Sequence, residues 1–256
     1  RDAPLPGGLE LVRKAPTEIA VSPDGRYAVT VVNRRAPRGS VLLVYDVQTA
    51  TLVNVLDPPF PAAFHVPTIG PDNRLAVSIV RGGAPAAAHV RKTLNLFELP
   101  SLRPILSFPT HIPSIASAAW SPSGDRLLTG AHGLVQGLDP ATGEPRLARD
   151  PDPIRVWAAS SGRLLASFAG EFEPIVSVAW HPSGEMFVTD SAKGTGERGS
   201  LVQIFPAAGG PPLLQHFARG ALLTIQPSFH PDGELLAWGE DLSLIHISEP
   251  TRLRRI

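Results

Sequence analysis

The chain has 256 residues, with 28 Pro, 23 Gly and no Cys, and it is 43% apolar but only 18% charged. Its 23 basic residues cancel 23 acidic ones, so overall charge points neither to nucleic acid nor to an anionic membrane as the partner. No apolar run approaches the roughly 20 residues that span a bilayer, and the opening around Arg1-Asp2 holds no signal-like hydrophobic stretch. The absence of Cys excludes a disulfide framework and any thiolate ligand or nucleophile, while leaving the compartment, cytoplasmic or exported, open. Proline at about twice its usual ~5% interrupts helices and favours short strands joined by turns. An all-β chain is predicted.

One pattern recurs along it: an apolar run, a small polar-Pro-polar-Gly turn, then a second apolar run. The turns are Ser22-Pro23-Asp24-Gly25, Gly70-Pro71-Asp72-Asn73, Ser121-Pro122-Ser123-Gly124, His181-Pro182-Ser183-Gly184 and His230-Pro231-Asp232-Gly233. Their prolines stand 48, 51, 60 and 49 residues apart. Pro presets φ for a turn and Gly or Asn accepts positive φ, so each can close a hairpin. The runs entering the turns are 19–21, 67–69, 117–120, 177–180 and 227–229; those leaving them are 27–32, 75–80, 127–129, 186–189 and 235–238. A third strand follows each variable loop, at 41–46, 94–99, 154–158 and 201–206, with an aromatic residue (Tyr45, Phe97, Trp157, Phe205) in the same place. A fourth follows at 52–56, 104–108, 164–168 and 213–217.

Four strands per unit and a period near 50 describe the blades of a β-propeller, small antiparallel sheets stacked around an axis. Segment 154–170, running into 174–184, resembles one repeat of the WD40 family leading into the next. The resemblance covers 7–241 in outline. It is degenerate: Trp157 is followed by Ala158, Gly170-Glu171 replaces the family's Gly-His pair, and its buried hydrogen-bond tetrad is incomplete. Such drift is similar to that of bacterial seven-bladed YVTN and lactonase-like relatives. The blades expected are 17–56, 64–108, 114–168, 174–217 and a partial 222–241, with 7–14 as the last strand of a preceding blade, about four and a half blades of an incomplete ring. An open arc of this kind leaves strands uncovered at its ends and is expected to aggregate.

Residues 242–252, reading Leu-Ser-Leu-Ile-His-Ile-Ser-Glu-Pro-Thr-Arg, resemble translated transposon-end and adapter sequence from sequencing libraries. Segment 242–256 is therefore read as non-native and left out of the fold expectation. No initiator Met opens the chain, so the whole is read as a fragment of a longer frame.

Candidate sites are few. Gly194-Thr195-Gly196-Glu197-Arg198-Gly199 fits G-x-G-x-x-G, yet a strand and a proline follow it where a dinucleotide fold needs a helix N-terminus. A loop is expected. His181 and His230 fill one turn position; His65, His111 and His132 fall in or beside loops, and no ligand-spaced pair or nucleophile elbow occurs. No cofactor, metal or catalytic residue is assigned. Trp120, Trp180 and Phe229 share one phase of the first strand and are expected to pack between blades.

The loops between second and third strands are long for a WD40 unit, and insertions confined to one side of a repeat protein often mark its binding side. They hold ten basic against five acidic side chains. The first two, with Arg34, Arg35, Arg38, Arg81, Arg91 and Lys92, contain no acid, and we read them as a basic rim for an acidic peptide or anionic ligand. In the third, Gly137 to Leu147 reads either as an extra hairpin or as an irregular excursion ended by Asp150-Pro151-Asp152-Pro153. The resemblance implies a non-catalytic scaffold that binds a protein or peptide on its loop-rich face, without nucleic acid, membrane or a sign of homo-oligomerisation. The alternative is a lactonase-like or quinoprotein-like enzyme or small-ligand binder with its site at the axial channel.

Overall fold

The Pro-centred turns are the most regular feature of the computed structural model. In all five, the amide of the fourth residue returns to the carbonyl of the first: Gly25 to Ser22, Asn73 to Gly70, Gly124 to Ser121, Gly184 to His181 and Gly233 to His230, at 2.8–3.1 Å. The fourth residue sits at φ between 59° and 78° in each, the left-handed conformation that Gly and Asn adopt at least cost. The structure describes residues 17–34, 39–58, 62–81, 92–110, 115–131, 134–138, 145–149, 152–168, 175–193, 199–219, 225–240 and 244–248, divided between two units, Arg1–Thr110 and His111–Ile256.

In the first unit, β1 (Glu18–Val21), β2 (Tyr27–Arg34), β3 (Gly39–Asp46) and β4 (Thr51–Leu56) form one antiparallel sheet in sequence order. β5 (Ala62–Ile69), β6 (Arg74–Arg81), β7 (Lys92–Glu98) and β8 (Arg103–Pro109) form the second in the same way. Strand alternation sends Tyr27, Val29 and Val31 of β2, with Leu42 and Val44 of β3, into one apolar cluster with Phe64, Leu75, Val77 and Phe97 of the second sheet. Val32, Val41 and Leu43 cluster on the opposite face of the first sheet. β5 is longer than its sequence suggests. Pro67 cannot donate to a ladder, so the pairing skips from His65↔Ser78 to Thr68↔Ala76 through a bulge and then resumes.

In the second unit, β9 (Ile115–Trp120), β10 (Arg126–Ala131), β13 (Ile154–Ala158) and β14 (Leu164–Phe168) make a four-stranded sheet, while β11 (Leu134–Leu138) and β12 (Pro145–Arg149), among the described residues, pair with each other alone. Of the two readings of the third loop, the hairpin is the one that forms. β15 (Ile175–Trp180), β16 (Met186–Lys193), β17 (Gly199–Pro206) and β18 (Leu214–Arg219) make the next sheet. β19 (Ile225–Phe229), β20 (Leu236–Glu240) and β21 (Leu244–Ser248) make a three-stranded one. β21 comes from the segment set aside as non-native. Its apolar run Leu244-Ile245-His246-Ile247 has the pattern to pair with β20, whatever its origin. One seam buries Leu128, Ile154, Val156 and Phe168 against Ile175, Trp180, Phe187 and Phe205. There Phe168 meets Phe187 edge-on at 5.1 Å and Phe205 at 5.2 Å. The next seam buries Val188, Val202 and Ile204 against Leu236 and Trp238.

Candidate interaction surface

In a four-stranded meander the first-to-second and third-to-fourth turns leave one end of the strands. The second-to-third connection leaves the other end, with the link to the next sheet. The short turns are rigidly bonded and tied sheet to sheet. Ser22 Oγ donates to Asp24 (2.6 Å) and accepts the Tyr27 amide (2.8 Å). Asn73, at the same place in the next turn, donates to Asp24 Oδ2 at 3.0 Å. These bonds hold the Asp24 carboxyl down at about 2, the hydroxyl of Ser22 contributing most and Asn73 next. In the second unit Arg126 lies over the Trp180 ring and donates to the Gly184 carbonyl at 3.1 Å. His181 is buried, bonded through Nε2 to the Gly233 carbonyl at 2.9 Å, while its Nδ1 accepts the Ser183 amide at 3.1 Å. His181 and His230 are turn residues, as their repeat position suggests. Trp120 and Trp180 are buried, and Trp180 Nε1 donates to the Ala119 carbonyl of the neighbouring sheet at 3.1 Å.

The loop end is built differently. Arg34 closes β2, but it is 4% exposed; its guanidinium donates to Asp57 and, at 3.2 Å, to the Pro58 carbonyl. This corrects the expectation that Arg34 displays its charge on the rim. A chain running Asp57-Pro58 past the end of β2 offers a carboxylate and a backbone carbonyl that a long, forked donor can reach together. Beside it, a Cβ on Gly39 would lie 2.4 Å from the Ala62 carbonyl oxygen, and Ser40 Oγ accepts the Phe64 amide at 2.7 Å. The base of the first loop is thus fastened to the second sheet. Arg81 ends β6 and Lys92 begins β7, one on each side of the second loop. Arg35, Arg38 and Arg91 lie outside the described residues, as do His111, His132 and 194–198 of the glycine motif, which β17 follows, a strand and not a helix.

His65 stands 3.5 Å from Glu18, whose other oxygen accepts the Val66 amide. The repeat pattern did not single out Glu18 or Asp57, because each acts on one junction only and neither recurs. Among the described residues no three His, Asp or Glu side chains converge as a metal site. Buried polar order lies within sheets instead: Trp157 Nε1 donates to Thr129 Oγ1 at 2.8 Å between β13 and β10.

Comparison with known proteins agrees with this architecture. A family model described as WD domain, G-beta repeat, matches residues 102–136. That stretch runs from the turn before β8 through β9, its Pro-centred turn and β10 into β11, one repeat ahead of the segment where the resemblance is plainest in the sequence. No curated protein matches the chain. The solved structure of the Dos1 propeller is similar to it with a TM-score of 0.62 at 16% identity, over 92% of this chain and 54% of that one. The chain therefore spans about half the length of that propeller. Four-stranded antiparallel sheets and this likeness of fold make the chain a β-propeller of repeated blades, and the WD-domain match over 102–136 makes at least one of its repeats WD40-like.

Proposed function

We propose that the chain is a non-catalytic scaffold whose loop side holds an acidic protein or peptide. The observation that supports this best is the asymmetry between the two ends of each blade. Short turns, internally bonded and linked blade to blade, occupy one end. The insertions, with nine basic side chains besides the paired Arg34 against five acidic ones, occupy the other. Propellers of this class generally mediate protein–protein contact; the side of the propeller and the acidic chemistry of the partner are our reading. Arg35, Arg38, Arg81, Arg91 and Lys92 carry the rim, without Arg34.

The test is fluorescence anisotropy of the chain with a labelled Asp/Glu-rich peptide and with its Asn/Gln counterpart, at low and at physiological salt. Binding of the acidic peptide alone, weakened by salt and by Arg35→Glu, Arg38→Glu and Arg91→Glu together, is expected. Equal affinity for both peptides, or no effect of the three reversals, overturns the reading.

A further inference from the structure

The short-turn end of the blades has one exception. The third strand joins the fourth through four residues in the first two sheets, 47–50 and 99–102, and through five in the third, 159–163. Polar bonds close each of these connections. Thr49 donates to Asp46 at 3.0 and 3.1 Å, the Leu102 amide to the Glu98 carbonyl at 2.8 Å, and the Gly162 amide to the Ala158 carbonyl at 2.8 Å. Between β17 and β18 the connection takes seven residues, 207–213. It reads Ala-Ala-Gly-Gly-Pro-Pro-Leu, and no side chain in it can donate or accept a hydrogen bond. The other blades show that joining the two strands does not require such a segment.

Both of its ends are pinned. Ala207 is buried and its amide donates to the Glu185 carbonyl at 2.8 Å, and the Leu213 amide donates to the Ile204 carbonyl at 2.7 Å. The residues between them stand clear of the blade. Gly209 and Gly210 sit at φ 107° and 114°; an added Cβ would meet nothing within 4 Å at the first and its nearest atom at 3.8 Å at the second. Ala208, Gly210 and Pro211 are exposed, Pro212 is half-buried and Leu213 is 53% exposed. Among the described residues nothing donates to the carbonyls of 208–212.

The chemistry of this segment specifies what can hold it. The ring of Pro211 fixes its φ, and Pro212 behind it keeps it out of the helical region, so the pair is set in the polyproline II conformation before a partner arrives. Little conformational freedom is left to lose on binding. The segment presents two proline rings, an aliphatic side chain and a row of carbonyl acceptors, with no charge and no side-chain donor. A groove lined by Trp and Tyr meets all of these at once: their rings pack on the prolines and the leucine, while indole N–H and phenol O–H groups donate to the carbonyls.

We propose that 208–213 is a docking loop for the aromatic-lined, polyproline-reading groove of a second partner. It lies at the opposite end of its blade from the insertion, and it is independent of the acidic partner assigned to the loop side.

The probes are a WW, an SH3 and an EVH1 domain, three modules that read polyproline segments, each fluorescently labelled and titrated with the full chain in an anisotropy measurement. At least one should bind. Pro211→Ala combined with Pro212→Ala should weaken that binding about tenfold, and Leu213→Ser should weaken it as well. Urea midpoints of both variants should match the parent, and if the double variant shifts its midpoint, Leu213→Ser decides. Arg35→Glu, Arg38→Glu and Arg91→Glu together should leave the binding unchanged. If none of the three domains binds, or both turn variants bind like the parent, the docking loop is overturned and the loop-side reading stands. If the three reversals weaken binding while the turn variants do not, the domain is held on the loop side and the assignment to 208–213 fails.

Discussion

Glu18 in the first strand of one blade accepts, through its carboxylate, the backbone amide of Val66 in the first strand of the next. Val66 is held at φ 56°, a conformation that a β-branched residue adopts only under constraint, at about 1–3 kcal/mol. The carboxylate supplies that constraint by capping the amide at the bulge before Pro67. Glu18→Ala should lower stability by about 1–2 kcal/mol, since a charged acceptor is lost to a part-buried donor. The loss should shrink in a Val66→Gly background, where the backbone is no longer strained. Equal losses in both backgrounds, measured by urea denaturation, would show that the two residues are uncoupled.

Thr129 and Thr189 occupy equivalent places in adjacent blades, and their side chains should respond in opposite directions. Trp157 bonds Thr129 Oγ1; the aromatic residue at the corresponding place in the next blade is Phe205, which has no N–H. Thr189 is fully buried and its hydroxyl has no partner among the described residues. Trp157→Phe should cost about 1–3 kcal/mol, and Thr189→Val should leave stability unchanged or raise it by up to about 1 kcal/mol. A destabilised Thr189→Val protein would mean that the hydroxyl does have a partner.

Two glycines separate backbone conformation from close approach. Gly25 sits at φ 70° with open space where a Cβ would go, so Gly25→Ala should cost about 1 kcal/mol, the price of a left-handed alanine. At Gly39 the added carbon would meet the Ala62 carbonyl oxygen at 2.4 Å. Gly39→Ala should cost distinctly more, about 2–4 kcal/mol, because strand β3 must move away from β5. The order of the two midpoints in a thermal melt checks this, and the reverse order contradicts it.

Acid should unfold the protein from its turns. Asp24 titrates at about 2 against an ordinary 3.8, and Asp46, Glu98, Asp125 and Asp232 are also lowered. The largest causes are, in order, the hydroxyl of Ser22, the Thr49 amide, Arg103, the hydroxyl of Ser123 and the Glu234 amide. A carboxyl with a lower pKa in the folded state adds stability above its unfolded pKa and loses it as pH falls through the folded value. The urea midpoint should hold level down to about pH 5 and fall between about pH 4 and pH 2. Asp24→Asn should flatten that fall; a midpoint insensitive to acid would contradict these turn contacts.

The repeat was legible because each Pro-centred turn is decided by its own four residues, and Asn73 takes the same left-handed place as the four glycines. Strand lengths were less so. Prolines 67 and 227 read as strand starts, whereas bulges carry β5 and β19 past them. Arg34 illustrates the harder limit. Its basic neighbours in sequence suggested a displayed cluster, but Asp57, which neutralises it, arrives 23 residues later on the link to the next blade. Junctions such as Glu18 with Val66 and Gly39 with Ala62 depend on how two blades meet, and no spacing within one repeat encodes them.

The central claim is that the loop side, not the turn side, holds the acidic partner. Hydrogen exchange of the full chain, with and without the acidic peptide, tests it most directly. Slowed exchange in 35–38 and 82–91, with the five Pro-centred turns unchanged, is the predicted result. Slowing confined to the turns at 22–25, 70–73, 121–124, 181–184 and 230–233 would place the partner on the opposite side and contradict the account.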